Sequence, residues 1–64
     1  MLPRDNFIKM LEKKYCVPKD IIGSFLEITD DYNTEKACEM VWRGSNPSKI
    51  RALLLQGEKI SKGV

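Results

Sequence analysis

Side chains that could act as nucleophiles, general bases or metal ligands are few in this 64-residue sequence. Cys16 and Cys38 carry its two thiols, and histidine, the commonest side chain for proton transfer and metal binding near neutral pH, is absent. Without histidine, neither a serine nor a cysteine has its usual activating base, and two cysteines alone cannot complete a structural zinc site. The sequence therefore predicts a protein that is not an enzyme and that uses no cofactor or metal ion.

The other polar candidates favour structural roles. Glu27, Asp30 and Asp31 form an acidic group, but they lack the alternating oxygen ligands of a calcium loop, so we interpret them as a solvated turn. The four glycines are too scattered to form a loop that cradles phosphate. Cys16 and Cys38 both adjoin apolar residues, so we expect reduced thiols that pack as small hydrophobic side chains, not a disulfide.

Length and composition favour one small globular domain over residues 1–64. Hydrophobic residues make up 42% of the chain and charged residues 31%, an ordinary balance for a folded protein. The N-terminal residues contain no signal-peptide core, and no apolar run approaches the ~20 residues that span a membrane. We expect a cytoplasmic protein with no membrane partner.

Charge is segregated along the chain, although the net charge is only +2. Residues 4–19 carry five basic and two acidic side chains, residues 27–39 carry five acidic and one basic, and residues 43–62 carry five basic and one acidic. Blocks of this kind are typical of solvated helix faces. Their order argues against a uniformly cationic surface for nucleic acid.

The spacing of apolar residues predicts two helices in the first half of the chain. The first runs from about Arg4 to Tyr15, with lysines at its C-terminal end, where the helix dipole favours cations. Pro18 is expected in the first turn of the second helix. The two buried faces are expected to consist of Phe7, Ile8, Leu11 and Tyr15, and of Ile21, Ile22, Phe25 and Leu26.

A polar stretch over residues 29–34 predicts the start of a third helix. Asn33 or Thr34 is the expected N-cap, and the helix is expected to end near Arg43, before Gly44. Its core face is expected to consist of Ala37, Cys38 and Val41, with Met40 and Trp42 on either side of that stripe.

The fourth helix has the clearest start signal. Asn46 is the expected N-cap and Pro47 the first helical residue, and the helix is expected to end near Gly57 or to continue to Ile60. Its inward residues are expected to be Ile50, Leu53 and Leu54. Because no alternating strand pattern competes, the sequence predicts an all-α compact bundle of about four short helices.

More apolar side chains are present than one small core can cover. The run 53–55 consists of three leucines that sweep about 200° of a helix, so Leu55 or Leu53 is expected to be left at the surface. A surface of leucine, tryptophan and methionine is typical of a protein-binding site or a homodimer interface, although a compact bundle can also wrap such residues. The leading hypothesis is a small non-catalytic regulatory or adaptor protein that binds another protein. The candidate partner-binding residues are Tyr32, Met40, Trp42, Leu54 and Leu55.

Part of the chain resembles the last two helices of UBA domains, small three-helix modules that bind ubiquitin. The resemblance consists of the pattern Tyr32-x-x-Glu35-x-Ala37, the pair Asn46-Pro47 and the run 53–57. In that family a Met-Gly-aromatic loop and a leucine pair bind ubiquitin. The resemblance implies that Tyr32, Leu54 and Leu55 bind ubiquitin. At the position of the family's Met-Gly pair, this chain has Asp30-Asp31.

In a different frame the chain is similar to the related CUE domains. Residues 15–18, Tyr-Cys-Val-Pro, stand where that family has Met-Phe-Pro, and Val41-Trp42 stands where it has a leucine pair. The two frames are mutually exclusive. A helical hairpin of the type found in TPR repeats fits residues 31–47 comparably.

The alternative hypothesis is a DNA-binding transcriptional regulator with a helix-turn-helix motif. A dimeric form of this regulator is compatible with the hypothesis. Gly44, Ile50 and Leu53 resemble the turn glycine and the two core residues of that motif's second helix. A second frame runs from Leu11 to Phe25. Short polar and basic side chains at the start of the recognition helix suit phosphates and base edges. The candidate DNA-binding residues are Ser45, Asn46, Ser48, Lys49 and Arg51.

Overall fold

The computed structural model describes residues 3–57, which form four α-helices and, within that range, no strand. The helices are α1 (Pro3–Tyr15), α2 (Lys19–Leu26), α3 (Asp31–Trp42) and α4 (Pro47–Leu55). The predicted all-α fold with four short helices is confirmed. No helix in the described part of the chain is long and apolar enough to cross a membrane.

The core is formed by α1, α2 and α3, which contact one another in all three pairs, while α4 packs chiefly against α3. Its centre is formed by side chains that recur every three or four residues along each helix. Phe7, Ile21, Leu26 and Val41, all predicted to face inward, are partly buried at the edge of the core. The buried apolar residues are Ile8, Leu11, Tyr15, Val17, Ile22, Phe25, Ala37, Cys38, Ile50 and Leu54.

Two predicted helix starts are wrong by one to four residues. The N-cap of α3 is Asp30, not Asn33 or Thr34: its Oδ1 accepts hydrogen bonds from the backbone N–H of Asn33 at 2.8 Å and from the Asn33 side-chain amide at 2.9 Å. Asn33 and Thr34 are buried inside the first turn of α3. Pro18 is the N-cap of α2 and not its first helical residue.

Gly44 ends α3 with a positive φ of 111°, a conformation that side chains with a Cβ rarely adopt. The Ser45 N–H donates to the Met40 carbonyl at 2.9 Å, and the Gly44 N–H donates to the Val41 carbonyl at 2.9 Å. These are the two bonds of a Schellman motif, which satisfies the last carbonyls of a helix and reverses the chain. Gly44 is therefore a helix stop, as predicted, and it brings α4 back onto α3.

Asn46 caps α4 as predicted, because its Oδ1 accepts a hydrogen bond from the Ser48 N–H at 2.8 Å. Pro47 is the first helical residue. The helix ends at Leu55, and Gly57 follows with a φ of 85°, which confirms the predicted end near this glycine. Ile60, the alternative end point, lies outside the described residues.

Cys16 ends α1 in the left-handed region, with a φ of 56°. Its N–H donates to the Glu12 carbonyl at 3.0 Å, the single bond of an αL motif in which glycine is the usual residue. Both thiols are free; Cys38 is buried as expected, but Cys16 is exposed, which contradicts its expected packing. The helix stop requires the Cys16 backbone to turn outward, and Val17 enters the core in its place.

Candidate partner-binding surface

Met40 and Trp42 belong to two different surfaces. They are two residues apart on α3, so at about 100° per residue their side chains leave the helix in nearly opposite directions. Met40 faces α4 and lines a groove with Ile50 and Leu53, whereas Trp42 lies against Tyr15 of α1. The five predicted partner-binding residues therefore do not form one continuous patch.

Trp42 is the last residue of α3, and it is 58% exposed. Its indole ring meets the Tyr15 ring edge to face, with 6.1 Å between the ring centroids and 62° between the ring planes. Aromatic pairs of this geometry contribute about 0.5–1.5 kcal/mol beyond the area they bury. The indole therefore packs on one neighbouring ring, while more than half of the Trp42 surface faces solvent.

Tyr15 is itself held by polar contacts at the junction of α1 and α3. Its hydroxyl donates to Glu35 Oε2 at 2.9 Å, and Lys14 Nζ donates to the same oxygen at 3.0 Å. Lys14 Nζ also lies 5.3 Å from the centroid of the Tyr15 ring, within cation–π range. These contacts orient the ring against which Trp42 packs.

The same contacts shift the protonation of all three groups. Hydrogen bonds from Lys14 and then from Tyr15 lower the pKa of the Glu35 carboxyl below its ordinary value. Burial, followed by the hydrogen bond to Glu35, raises the pKa of Tyr15, and the hydrogen bond to Glu35 raises the pKa of Lys14. At neutral pH the cluster is therefore an ammonium, a neutral phenol and a carboxylate.

Tyr32 lies at the opposite end of α3 from Trp42. Ten residues separate them, which corresponds to about 15 Å along a helix. The Tyr32 side chain is exposed, and Lys36 Nζ lies 5.5 Å from its ring centroid. Tyr32 is thus a separate exposed aromatic residue and does not border Trp42.

The three leucines of α4 have three different environments. Leu54 is only 6% exposed and belongs to the core, so it cannot serve as a surface anchor in this conformation. Leu53, predicted to face inward, is 42% exposed, and Leu55 is 62% exposed. Because Leu53 and Leu55 are two residues apart, they leave α4 in nearly opposite directions.

Four of the five candidate DNA-binding residues are exposed around the start of α4: Ser45, Asn46, Ser48 and Lys49. The oxygen of the Asn46 side chain is engaged as the cap of the helix. Arg51 differs from the others because it is partly buried, and its Nε is buried without a hydrogen-bond partner among the described residues. Ile50 is buried as a helix-turn-helix core residue would be, but Leu53 is not.

The residues considered for chemistry have structural roles. Asp30 caps α3, and within residues 3–57 no three Cys, Asp or Glu side chains are grouped closely enough to hold a metal ion. Burial, with a further contribution from the Glu35 charge, raises the pKa of the Cys38 thiol to about 11. Cys38 is therefore protonated at neutral pH.

Two residues were missed as site candidates in the sequence. Leu53 was assigned to the core with Leu54 but is exposed, and Tyr15 is buried as expected but supports the ring of the exposed Trp42. The positions that resemble UBA domains differ in exposure: Leu54 is buried, while Tyr32 and Leu55 are exposed.

Comparison of the chain with protein-family models, with curated proteins and with solved structures gives no significant match.

Proposed function

We propose that this protein is a non-catalytic regulatory or adaptor protein that binds another protein, with Trp42 as its principal anchor. The supporting observation is that Trp42 is 58% exposed while its ring packs edge to face with the buried ring of Tyr15. Tryptophan and tyrosine are over-represented among residues that dominate binding energy. A side chain that is oriented before binding loses less conformational entropy when a partner covers it.

The mechanism is recruitment or occlusion of the partner. A pocket on the partner removes the exposed indole from water, which supplies affinity, and the charges around it select among partners. Those charges are already paired: Lys14 with Glu35 at 3.0 Å, and Arg43 with Glu39 at 3.1 Å. A partner with a balanced polar rim fits this surface better than one with a strongly charged rim.

Fluorescence provides a direct test, because Trp42 is the single tryptophan of the chain. A protein captured on the immobilised chain is purified and titrated against it in solution. Burial of the indole at the interface shifts its emission to shorter wavelength. Trp42→Ala is expected to abolish capture with unchanged helix content, and Met10→Ala, an exposed apolar residue on α1, is the matched control that retains it. Capture that survives Trp42→Ala contradicts the proposal.

A second copy of the chain is one candidate partner, because a homodimer interface also needs exposed apolar side chains. Analytical ultracentrifugation over a range of concentrations detects this form. In a dimer built on this surface, Trp42→Ala shifts the equilibrium to the monomer.

DNA binding is the second candidate function, and one observation favours it. Residues 43–46 form a four-residue turn that contains Gly44 and joins a 12-residue helix to a 9-residue helix, as the turn of a helix-turn-helix does. The second of these helices carries no acidic residue. In this alternative the start of α4 contacts DNA, and affinity falls steeply as salt is added. An amide NMR titration with duplex DNA at low salt tests it: shifts over residues 45–51 that reverse with salt support it. Replacement of Lys49 and Arg51 by alanine is then expected to weaken DNA binding. Unchanged affinity for DNA contradicts a DNA-binding role of α4.

A further inference from the structure

A groove of about 460 Å³ lies between the C-terminal end of α3 and the first two turns of α4. The apolar side chains of Met40, Ile50 and Leu53 line it, and Ser45, Asn46 and Lys49 form its polar part with Gly44 at the turn. Its volume lies within the range of small binding sites. The groove exists because the Schellman turn at Gly44 brings α4 back beside Met40.

The charge of the groove has one sign. Lys49 is the charged residue of its lining, it is exposed, and it forms no ion pair with any residue in the described range. No acidic residue occurs anywhere between positions 43 and 57. An apolar floor beside an unpaired ammonium is complementary to a ligand that carries an apolar side chain and a carboxylate a short distance apart.

We propose that this groove binds an acidic amphipathic helix of another protein. Apolar side chains at positions i, i+3 or i+4, and i+7 of that helix cover Met40 and Leu53 on either side of the buried Ile50, and a flanking carboxylate pairs with Lys49. This surface is distinct from that of Trp42, because Met40 and Trp42 leave α3 in nearly opposite directions. The proposal therefore extends the function proposed above and does not rest on it.

The charge distribution favours an acidic helix over duplex DNA at this groove. Affinity for duplex DNA depends largely on lysine and arginine side chains that neutralise several phosphates. Here Arg43 is paired with Glu39, and the Nε of Arg51 is buried, which leaves Lys49 as the cation that faces the groove. A single lysine can pair with one carboxylate of an acidic helix, and the exposed Leu53 beside it can contact the apolar face of that helix.

The experiment uses two synthetic helical peptides with the same leucines at i, i+4 and i+7. One carries glutamates on the flanking positions, and the other carries lysines at those positions. Each is titrated into the isotope-labelled full chain and followed by amide NMR. We expect the acidic peptide to shift the signals of Met40, Lys49 and Leu53, and we expect the lysine peptide to bind at least tenfold more weakly.

Matched variants locate the contact on the groove. Leu53→Asp is expected to reduce the affinity for the acidic peptide at least tenfold, whereas Leu55→Asp, on the other side of α4, leaves it unchanged. Lys49→Glu is expected to reverse the preference between the two peptides; α4 tolerates this change because an acidic residue in a first turn favours the helix dipole. Trp42→Ala is expected to leave the affinity for the acidic peptide unchanged. A wrong proposal for the groove can therefore be distinguished from a wrong proposal for partner binding through Trp42.

Three results overturn the proposal. Equal affinity for the two peptides shows that charge does not select the ligand. Unchanged affinity in Leu53→Asp, in a variant whose circular dichroism spectrum is normal, shows that the peptide binds elsewhere. If duplex DNA at physiological salt shifts the groove residues and the acidic peptide does not, the groove is a nucleic-acid surface.

Discussion

The Tyr15 hydroxyl donates a hydrogen bond of 2.9 Å to Glu35 Oε2 and thereby joins the last residue of α1 to the second turn of α3. The two residues are 20 positions apart in the chain. Because Trp42 packs on the same tyrosine ring, the bond that joins the two helices also orients the most prominent exposed aromatic side chain. A structural contact and a candidate binding surface therefore share one residue.

The first prediction concerns acid. The pKa of Glu35 is lowered in the folded protein, so its contribution to stability is fully present above the ordinary value of 4.5 and is lost as pH falls through the lower folded value. Glu35→Gln removes the charge. We therefore expect the wild-type chain to be more stable than the variant at neutral pH, and this difference to shrink below pH 4.5. Urea unfolding followed by circular dichroism measures it; a difference independent of pH contradicts the assigned cause.

The second prediction separates the three leucines of α4. Leu54→Ala is expected to cost about 2–5 kcal/mol of unfolding free energy, because it leaves a cavity in the core. A domain of this size has roughly 3–5 kcal/mol in total, so the variant loses much of its folded population. Leu53→Ala and Leu55→Ala are each expected to change stability by about 0.5 kcal/mol or less, since both are exposed. Thermal unfolding of the three variants ranks them.

The third prediction is a gain of stability from Cys16→Gly. A residue with a Cβ in the left-handed region is strained by about 1–2 kcal/mol, and glycine removes that strain at a smaller entropic cost in the unfolded chain. We expect a net gain of about 0.5–1 kcal/mol. Denaturant unfolding measures it, and Cys16→Ala, which keeps the Cβ, serves as the control that shows no gain.

The fourth prediction concerns the reactivity of the two thiols. Cys38 is buried, and its pKa is raised to about 11, so little thiolate forms at pH 8. Iodoacetamide is expected to label one thiol per native chain, at Cys16, and both in urea. Mass spectrometry counts the labels. In Cys16→Gly the native chain takes up none, and rapid labelling of Cys38 in that folded variant argues against its burial.

The helices and most of the core were predictable from local signals. Gly44, Asn46 and Pro47 each act through their own backbone or side chain, so their residue types suffice to locate the turn between α3 and α4. The predicted N-cap of α3, Asn33 or Thr34, was wrong because residues 30–34 also include Asp30, and all three are of types suited to capping or turns. Tertiary packing determines which residue is the N-cap of α3. Asn33 and Thr34 are buried within the helix, and Asp30 caps it.

The binding surface was harder to predict because it depends on where the helices lie relative to one another. Helical periodicity placed Met40 and Trp42 on either side of the α3 stripe, but only the packing of α1 and α4 shows that each faces a different neighbour. It also placed Leu53 in the core with Leu54, although of the run 53–55 only Leu54 is buried. Which leucine is buried depends on the direction in which α4 returns, and the Gly44 turn sets this direction.

The attachment of α4 has a consequence for slow motions of the molecule. Helix α4 packs chiefly against α3, whereas α1, α2 and α3 contact one another in all three pairs, so we expect α4 to be the helix whose local opening requires the least free energy. Opening removes one wall of the groove beside Met40, and a ligand in the groove binds only the closed form. By linkage, such a ligand stabilises the closed form by RT ln(1 + [L]/Kd). Occupancy of the groove is therefore reported by slower amide hydrogen exchange throughout α4, including residues that the ligand never touches.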